Sequence, residues 1–304
     1  MKNLTDYIAE AYEYNYNISN VPKYTSTGTN KVGINKTNNK TNNKTNYTVQ
    51  PKTKDELIYI ITSAFKIKQY DLNFIDTSKI TDMSELFINI NHNFDVSKWD
   101  VSNVTNMSYM FYYCKNFDCD LSNWDVSNVT NMACMFNGCK NFNCDLSNWD
   151  VSNVKNMRYA FNGCSIFIGK GLENWDVSKV TDTGNMFYNC KDLCCDLSSW
   201  KISKNNTKVS HMFMGCKNFD SDLSGWDVSN VTTMEHMFFR CESFKGKGLE
   251  NWNVSKVKDI SGMFNNCHKF NCDLNNWDVS NVENMFFVFY NCTSLKNKPK
   301  WYKE

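Results

Sequence analysis

Residues 99–123 read WDVSNVTNMSYMFYYCKNFDCDLSN, and this string returns, lightly edited, to the end of the chain. All nine tryptophans lie in one phase of it, from Trp99 to Trp301, at spacings of 24 to 26 residues. Self-similarity at such a period predicts a solenoid: one unit cannot bury its apolar face alone, and stacked units bury a continuous core. Counting domains from the length of 304 residues is therefore inappropriate, because a periodic chain grows by adding coils.

The periodicity changes within a unit. Val104, Met107, Phe111 and Cys114 recur at three- and four-residue steps, which predicts a short helical half with one buried stripe. Phe117, Cys119 and Leu121 alternate with Asp118 and Asp120, which predicts a short half-buried strand. Asp125, Ser127 and Asn128 supply turn and capping side chains between units. The expected fold is an α/β repeat solenoid of about nine 25-residue coils, each a short parallel strand plus a short helix. A parallel β-helix without helical segments is the alternative.

Three segments follow from composition. Residues 1–50 pass through KTNNKTNNKTNYT, which cannot bury enough apolar area to offset the entropy of ordering, and are expected to form a disordered Asn/Thr/Lys-rich tail. Residues 51–74 are expected to hold a capping helix: Thr53 is its N-cap, Glu56 completes a capping box, and the helix should run to about Gln69. Leu57, Ile60, Ile61, Ala64 and Phe65 give it one apolar face, suited to closing the open end of the stack. Residues 75–304 are expected to form the solenoid, whose first repeat has Ile75 in the tryptophan position.

Charge argues for little. Lys plus Arg number 33 against 32 Asp plus Glu, so nothing points to nucleic acid or a membrane surface as a partner. No signal-peptide run opens the chain and no stretch reaches membrane-spanning length, so an intracellular location is expected. Eight of the fourteen cysteines, Cys114 to Cys292, lie three residues after a phenylalanine in successive units. Such a column reads as free core thiols, ahead of disulfides or metal.

Two groups of residues invite a metal. His211 and His236 share one repeat position, but that position reads Glu85, Tyr109, Cys134, Tyr159, Asn185, Gly262 and Phe287 elsewhere, so the sequence favours an unconstrained exposed column. Asp100, Asp125, Asp150, Asp176, Asp227 and Asp278 form an acidic ladder, yet Asp before x-Ser is ordinary turn chemistry, and capping outweighs calcium. No catalytic set, metal or cofactor is assigned. Gly169-Lys-Gly-Leu-Glu-Asn returns 77 residues later at Gly246, the length of three units, and its glycines are expected to form strand bulges.

The run WDVSNVTNMSYMFYYCKNFDCDLSNWDVSNVTNM resembles the BspA-like leucine-rich-repeat surface-protein family of bacteria, mycoplasmas, protists and giant DNA viruses, over about residues 75–301. The resemblance implies a leucine-rich-repeat-like stack with a role in adhesion or protein binding and no catalytic site. The missing secretion signal and the cysteine column fit a giant-virus or protist version. The resulting expectation is a non-enzymatic scaffold for an unknown protein partner, with self-assembly or a metal-dependent sensor as alternatives. Candidate interaction residues are Tyr109, Asp118, Asn143, Asp220, His211 and His236.

Overall fold

The computed structural model describes residues 49–303, so the tail expected over residues 1–50 lies almost wholly outside the described residues. The first ordered element is a helix, α1 (Lys54–Lys66). Thr53 caps it, its Oγ1 accepting from the Glu56 amide at 3.2 Å, while the Glu56 carboxylate accepts from the Lys52 amide at 2.7 Å. The helix stops three residues before the expected end. Lys68 takes a left-handed φ of 59°, and the Gln69 amide turns back to the Ala64 carbonyl at 2.9 Å. Leu57, Ile61 and Ala64 are buried, and the Phe65 ring lies 5.8 Å from Phe94 and 6.4 Å from Phe87, in the first coil.

Beyond α1 the units stack one above the next. Phe87, Phe111, Phe136, Phe161, Phe187, Phe213, Phe238, Phe264 and Phe289 form a column with ring centroids 5.4 to 5.9 Å apart. These rings, with Val, Met, Leu and Trp columns beside them, make a single core running the length of the stack. Each tryptophan is fitted to its column by its nitrogen. The indole N–H of Trp99 donates to Leu72 O, that of Trp124 to Val96 O, that of Trp200 to Leu172 O, and so on to Trp301 and Leu274 O, at 2.7 to 3.4 Å. A phenylalanine would fill most of that space but forfeit this bond between coils, leaving each carbonyl only the amide three residues on, as Leu72 O keeps Ile75 and Val96 O keeps Trp99.

The helical half predicted for each coil is absent: among the described residues the only α-helix is α1. Successive β-turns stand in its place. Amides of Met110, Tyr112 and Cys114 bond back three residues, to Met107, Tyr109 and Phe111, while the intervening amides of Met107, Tyr109, Phe111 and Tyr113 donate to Asn131, Ala133, Met135 and Asn137 in the next coil. Tyr109 and Tyr113 have φ of 58°, and a helix cannot continue through left-handed residues. Most of the parallel pairing therefore falls on the half expected to be helical, with bridges running Asp82, Asn106, Asn131, Asn156, Asp182 and again from Lys208 through Thr233 and Asp259 to Asn284, while Asp71–Asp95 and Val49–Ile75 pair elsewhere near the amino-terminal end of the stack. The gap between Asp182 and Lys208 coincides with one additional residue between Trp200 and Met212, relative to the equivalent stretch from Trp99 to Met110.

The half expected to be a strand is extended and pairs only sparsely backbone to backbone: the Leu146 and Leu223 amides donate to Lys170 O and Lys247 O at 3.0 Å, and the Cys194 amide to Ile168 O at 3.2 Å. Side chains carry further links. Asn143 Oδ1 accepts from the Ile168 amide at 3.0 Å, Asp220 Oδ1 from Lys245 at 2.9 Å and Asn271 Oδ1 from Lys296 at 3.3 Å. Leu121 donates to Cys144 Sγ at 3.2 Å and Leu197 to Ser221 Oγ at 2.8 Å.

The two Gly-Lys-Gly elements do not bulge a strand. Gly171 and Gly248, with φ of 95° and 92°, open short 3₁₀ turns, Leu172–Asn174 and Leu249–Asn251, that absorb the inserted residue. A Cβ at Gly171 would stand 2.2 Å from the Ser147 amide nitrogen, and one at Gly248 would stand 2.1 Å from that of Ser224, so both positions require glycine for space as well as for φ. The two copies repeat their polar contacts too: Lys170 pairs with Asp145 at 2.7 Å and Lys247 with Asp222 at 2.8 Å.

Candidate interaction surface

The recurring motif is absorbed residue by residue by the stack. Asp125 Oδ1 accepts from the Ser127 amide at 3.1 Å, as Asp100 does from Ser102, Asp150 from Ser152 and Asp278 from Ser280. The Ser127 hydroxyl and amide hold the Asp125 carboxyl below the ordinary carboxylate range. Asp145 and Asp222, each bridged to a lysine, are held down at about 2. Asn103 and Asn128 donate from Nδ2 to the Ser78 and Ser102 carbonyls one coil back. The acidic ladder is thus a ladder of Asx turns, each with one carboxylate oxygen already engaged.

The cysteine column is equally committed. All described cysteines are free, and the thiols of Cys114, Cys139, Cys164, Cys190, Cys216, Cys241, Cys267 and Cys292 donate to phenylalanine carbonyls of the preceding coil at 2.6 to 3.0 Å. Burial pushes the Cys114 thiol up to about 12, and those of Cys164 and Cys216 well above the ordinary value. Such thiols are poor nucleophiles and poor metal ligands at neutral pH.

Among the positions that these bonds do not use is one column on the turn face. Glu85, Tyr109, Cys134, Tyr159, Asn185, His211, His236, Gly262 and Phe287 all have φ between 52° and 61°. A second left-handed column runs four residues later, through Asn89, Tyr113, Gly138, Gly163, Asn189, Gly215, Arg240, Asn266 and Asn291. The left-handed region favours glycine and asparagine, and the second column obeys that preference. The first does not. It instead carries aromatic, acidic and imidazole side chains, and apart from Cys134 and Gly262 these are half-buried or exposed.

The predicted site residues separate into two groups. Tyr109, His211 and His236 share the left-handed column. Tyr109 is 39 % exposed, its ring 5.4 Å from Tyr112, and burial, with Cys134 and then Glu85 nearby, pushes its phenol up to about 12. His211 and His236 stack in adjacent coils, ring centroids 5.2 Å apart and 17° from parallel, and burial lowers the His211 pKa below its ordinary value. Asp118, Asn143 and Asp220 lie on the other, extended half, exposed but engaged in links between coils: Asp118 accepts from Asn93 Nδ2, and Asp220 pairs with Lys245 Nζ. Sequence reasoning passes over Glu235, Phe286 and Tyr290. Glu235 adjoins the two histidines, and Phe286 and Tyr290 are 74 % and 60 % exposed around Phe287.

Four overlapping segments, residues 56–170, 123–222, 159–248 and 207–303, match the family described as Mycoplasma protein of unknown function, DUF285. Together they run from within α1 through every coil. The chain belongs to this family. DUF285 membership identifies the chain as a repeat protein and assigns it no activity. No curated protein matches it. No helix among the described residues is long and apolar enough to cross a membrane.

Proposed function

We propose that the chain is a non-enzymatic interaction scaffold. Its coils form a solenoid in which turns replace the helices of a leucine-rich repeat, and a protein partner is bound along the first left-handed column. The observation that carries this reading is the amino-acid content of that column. Seven of its nine positions hold a residue other than glycine or asparagine at positive φ, where an L side chain costs about 1–2 kcal/mol. Strain of this kind, retained where glycine or asparagine would relieve it, accompanies sites whose side chains are needed for contact. Tyrosine and histidine supply large, amphipathic contact area with few rotors, as binding surfaces do. The resemblance to BspA-like surface proteins, with their adhesive and protein-binding roles, supports the same reading.

The test replaces Tyr109, Tyr159 and Phe287 together by glycine, which relieves the backbone while removing the contact groups. The variant should melt within a few degrees of the parent and lose the partner that the parent captures from the native host. Retention of that partner at equal yield by a folded variant would overturn the reading.

Self-assembly is a second reading, favoured by one observation: Phe286, Phe287 and Tyr290 expose 74 %, 65 % and 60 % of their surface on the final full coil. Light scattering decides it. Concentration-dependent oligomers that vanish in Phe286→Ser, Tyr290→Ser would support self-association, and a monomer at all concentrations would eliminate it.

A further inference from the structure

We propose that His211, Glu235 and His236 form a binding site for one divalent transition-metal ion of the zinc type. The three side chains bring one ligand atom each to within 4.8 Å of one another. Stacking produces this arrangement: His211 and His236 occupy one register in adjoining coils, the His211 amide donates to the Glu235 carbonyl at 2.9 Å, and Glu235 precedes His236 in the chain. Metal bonds of about 2 Å place tetrahedral ligand atoms roughly 3.3 Å apart, so side-chain rotation must contract the set on binding.

Two independent features mark the place. The first is an orphan. His236 Nδ1 is buried with no hydrogen-bond partner, and the Glu235 carboxylate stands 3.5 Å from it, at the edge of contact and without a hydrogen bond. Buried polar atoms without partners are uncommon, and a role in holding an ion is one of the few explanations. The second is a cleared space. In the next coil this column holds Gly262, where a Cβ would stand 2.6 Å from both Cδ2 and Nε2 of His236, so the ring occupies room that a side chain would deny it. The coil bearing His211 also carries an additional residue between Trp200 and Met212, with the unpartnered Asn206 Oδ1 in its turn.

The donor set selects the metal class. Two imidazole nitrogens and one carboxylate suit zinc, cobalt, nickel or copper, whereas calcium and magnesium prefer oxygen alone. Three protein ligands leave a fourth position for water or another donor. The site lies on the proposed interaction column but does not depend on it: metal binding is read on the chain alone.

The experiment titrates the full, metal-stripped chain with Zn²⁺ by calorimetry and with Co²⁺ by visible absorption. One ion per chain is expected, with a Co²⁺ spectrum of low coordination number. His236→Gln and Glu235→Gln should each weaken binding at least tenfold without shifting the metal-free melting temperature, and Cys194→Ser, which removes the exposed thiol, should leave binding intact. Binding that survives in His211→Gln, His236→Gln, binding lost in Cys194→Ser, or no saturable binding would each overturn the site. If the histidine variants fold poorly, Glu235→Gln at its half-exposed position decides the matter by the same tenfold loss or its absence.

Discussion

The two left-handed columns run side by side through the stack, four residues apart in every coil, and they solve one backbone problem with different amino acids. In the second column, glycine or asparagine fills seven of nine positions, the solution that backbone sterics alone would select. In the first, those types appear only at Asn185 and Gly262. Both columns share the same turns and the same links to the next coil, so the difference cannot come from the fold. It teaches that one column is set by geometry and the other by what its side chains must present.

Substitutions can break this comparison. Replacing Gly138 and Gly163 together by valine should produce the largest effect, a loss of about 2–4 kcal/mol in denaturant unfolding, because a β-branched residue is forced to positive φ twice. The Gly138 change presses further on the Tyr113 ring, which a Cβ would approach to 3.1 Å. If unfolding is unchanged, the second column is not governed by φ and the comparison fails. Tyr109→Val and Tyr159→Val, in the first column, should each cost about 1 kcal/mol, since strain is already present and only the β-branch is added.

The opposite change sharpens it. Tyr109→Gly should alter stability by less than about 1 kcal/mol in either direction, relief of strain offsetting the entropy of the more flexible unfolded chain. A loss of several kcal/mol would mean that the tyrosine is a core residue and not a presented one. The smallest effect is alkaline. Tyr109 has its phenol raised to about 12, so the folded state keeps a proton that the unfolded chain releases near 10. Its contribution to stability is present below pH 10 and lost between about pH 10 and 12. A spectrophotometric titration in which Tyr109→Phe removes no late-titrating phenol would count against that burial.

Much of the molecule is legible in its sequence. The repeat length, the Trp, Phe, Met and Cys columns and the N-cap at Thr53 all follow from spacing and side-chain chemistry, and the buried positions agree. The helical half is misread because linked β-turns with i to i+3 bonds space Val104, Met107, Phe111 and Cys114 much as a helix does. The discriminating signal is the Asn or Gly that so often precedes the column cysteine, as at Gly138, Gly163 and Gly215, a left-handed signature inside a run whose spacing suggests a helix. The strand half misleads for another reason: alternation reports an extended chain and two faces, but not whether the neighbour's amide meets a carbonyl or the side chain of Asn143 or Asp220. Asp118, Asn143 and Asp220 therefore look free for binding when their polar atoms hold adjacent coils. The His211, Glu235 and His236 cluster is invisible as a unit, because Glu235 belongs to a neighbouring column and the vacancy that admits His236 comes from Gly262, in the following coil.

The hydrogen bonds between coils run in both directions along the stack. Turn amides such as Met107, Tyr109 and Phe111 donate toward the carboxyl-terminal neighbour, while tryptophan indoles, cysteine thiols and the Thr105 amide donate toward the amino-terminal one. Opposed dipoles offset one another in part within each coil, unlike the head-to-tail alignment of a helix, whose ends carry partial charge. A stack of this kind can lengthen by whole three-coil blocks, as the duplicated Gly-Lys-Gly segment records, while its tips gain less field than a helix of aligned peptide dipoles would, and so draw fewer counter-ions.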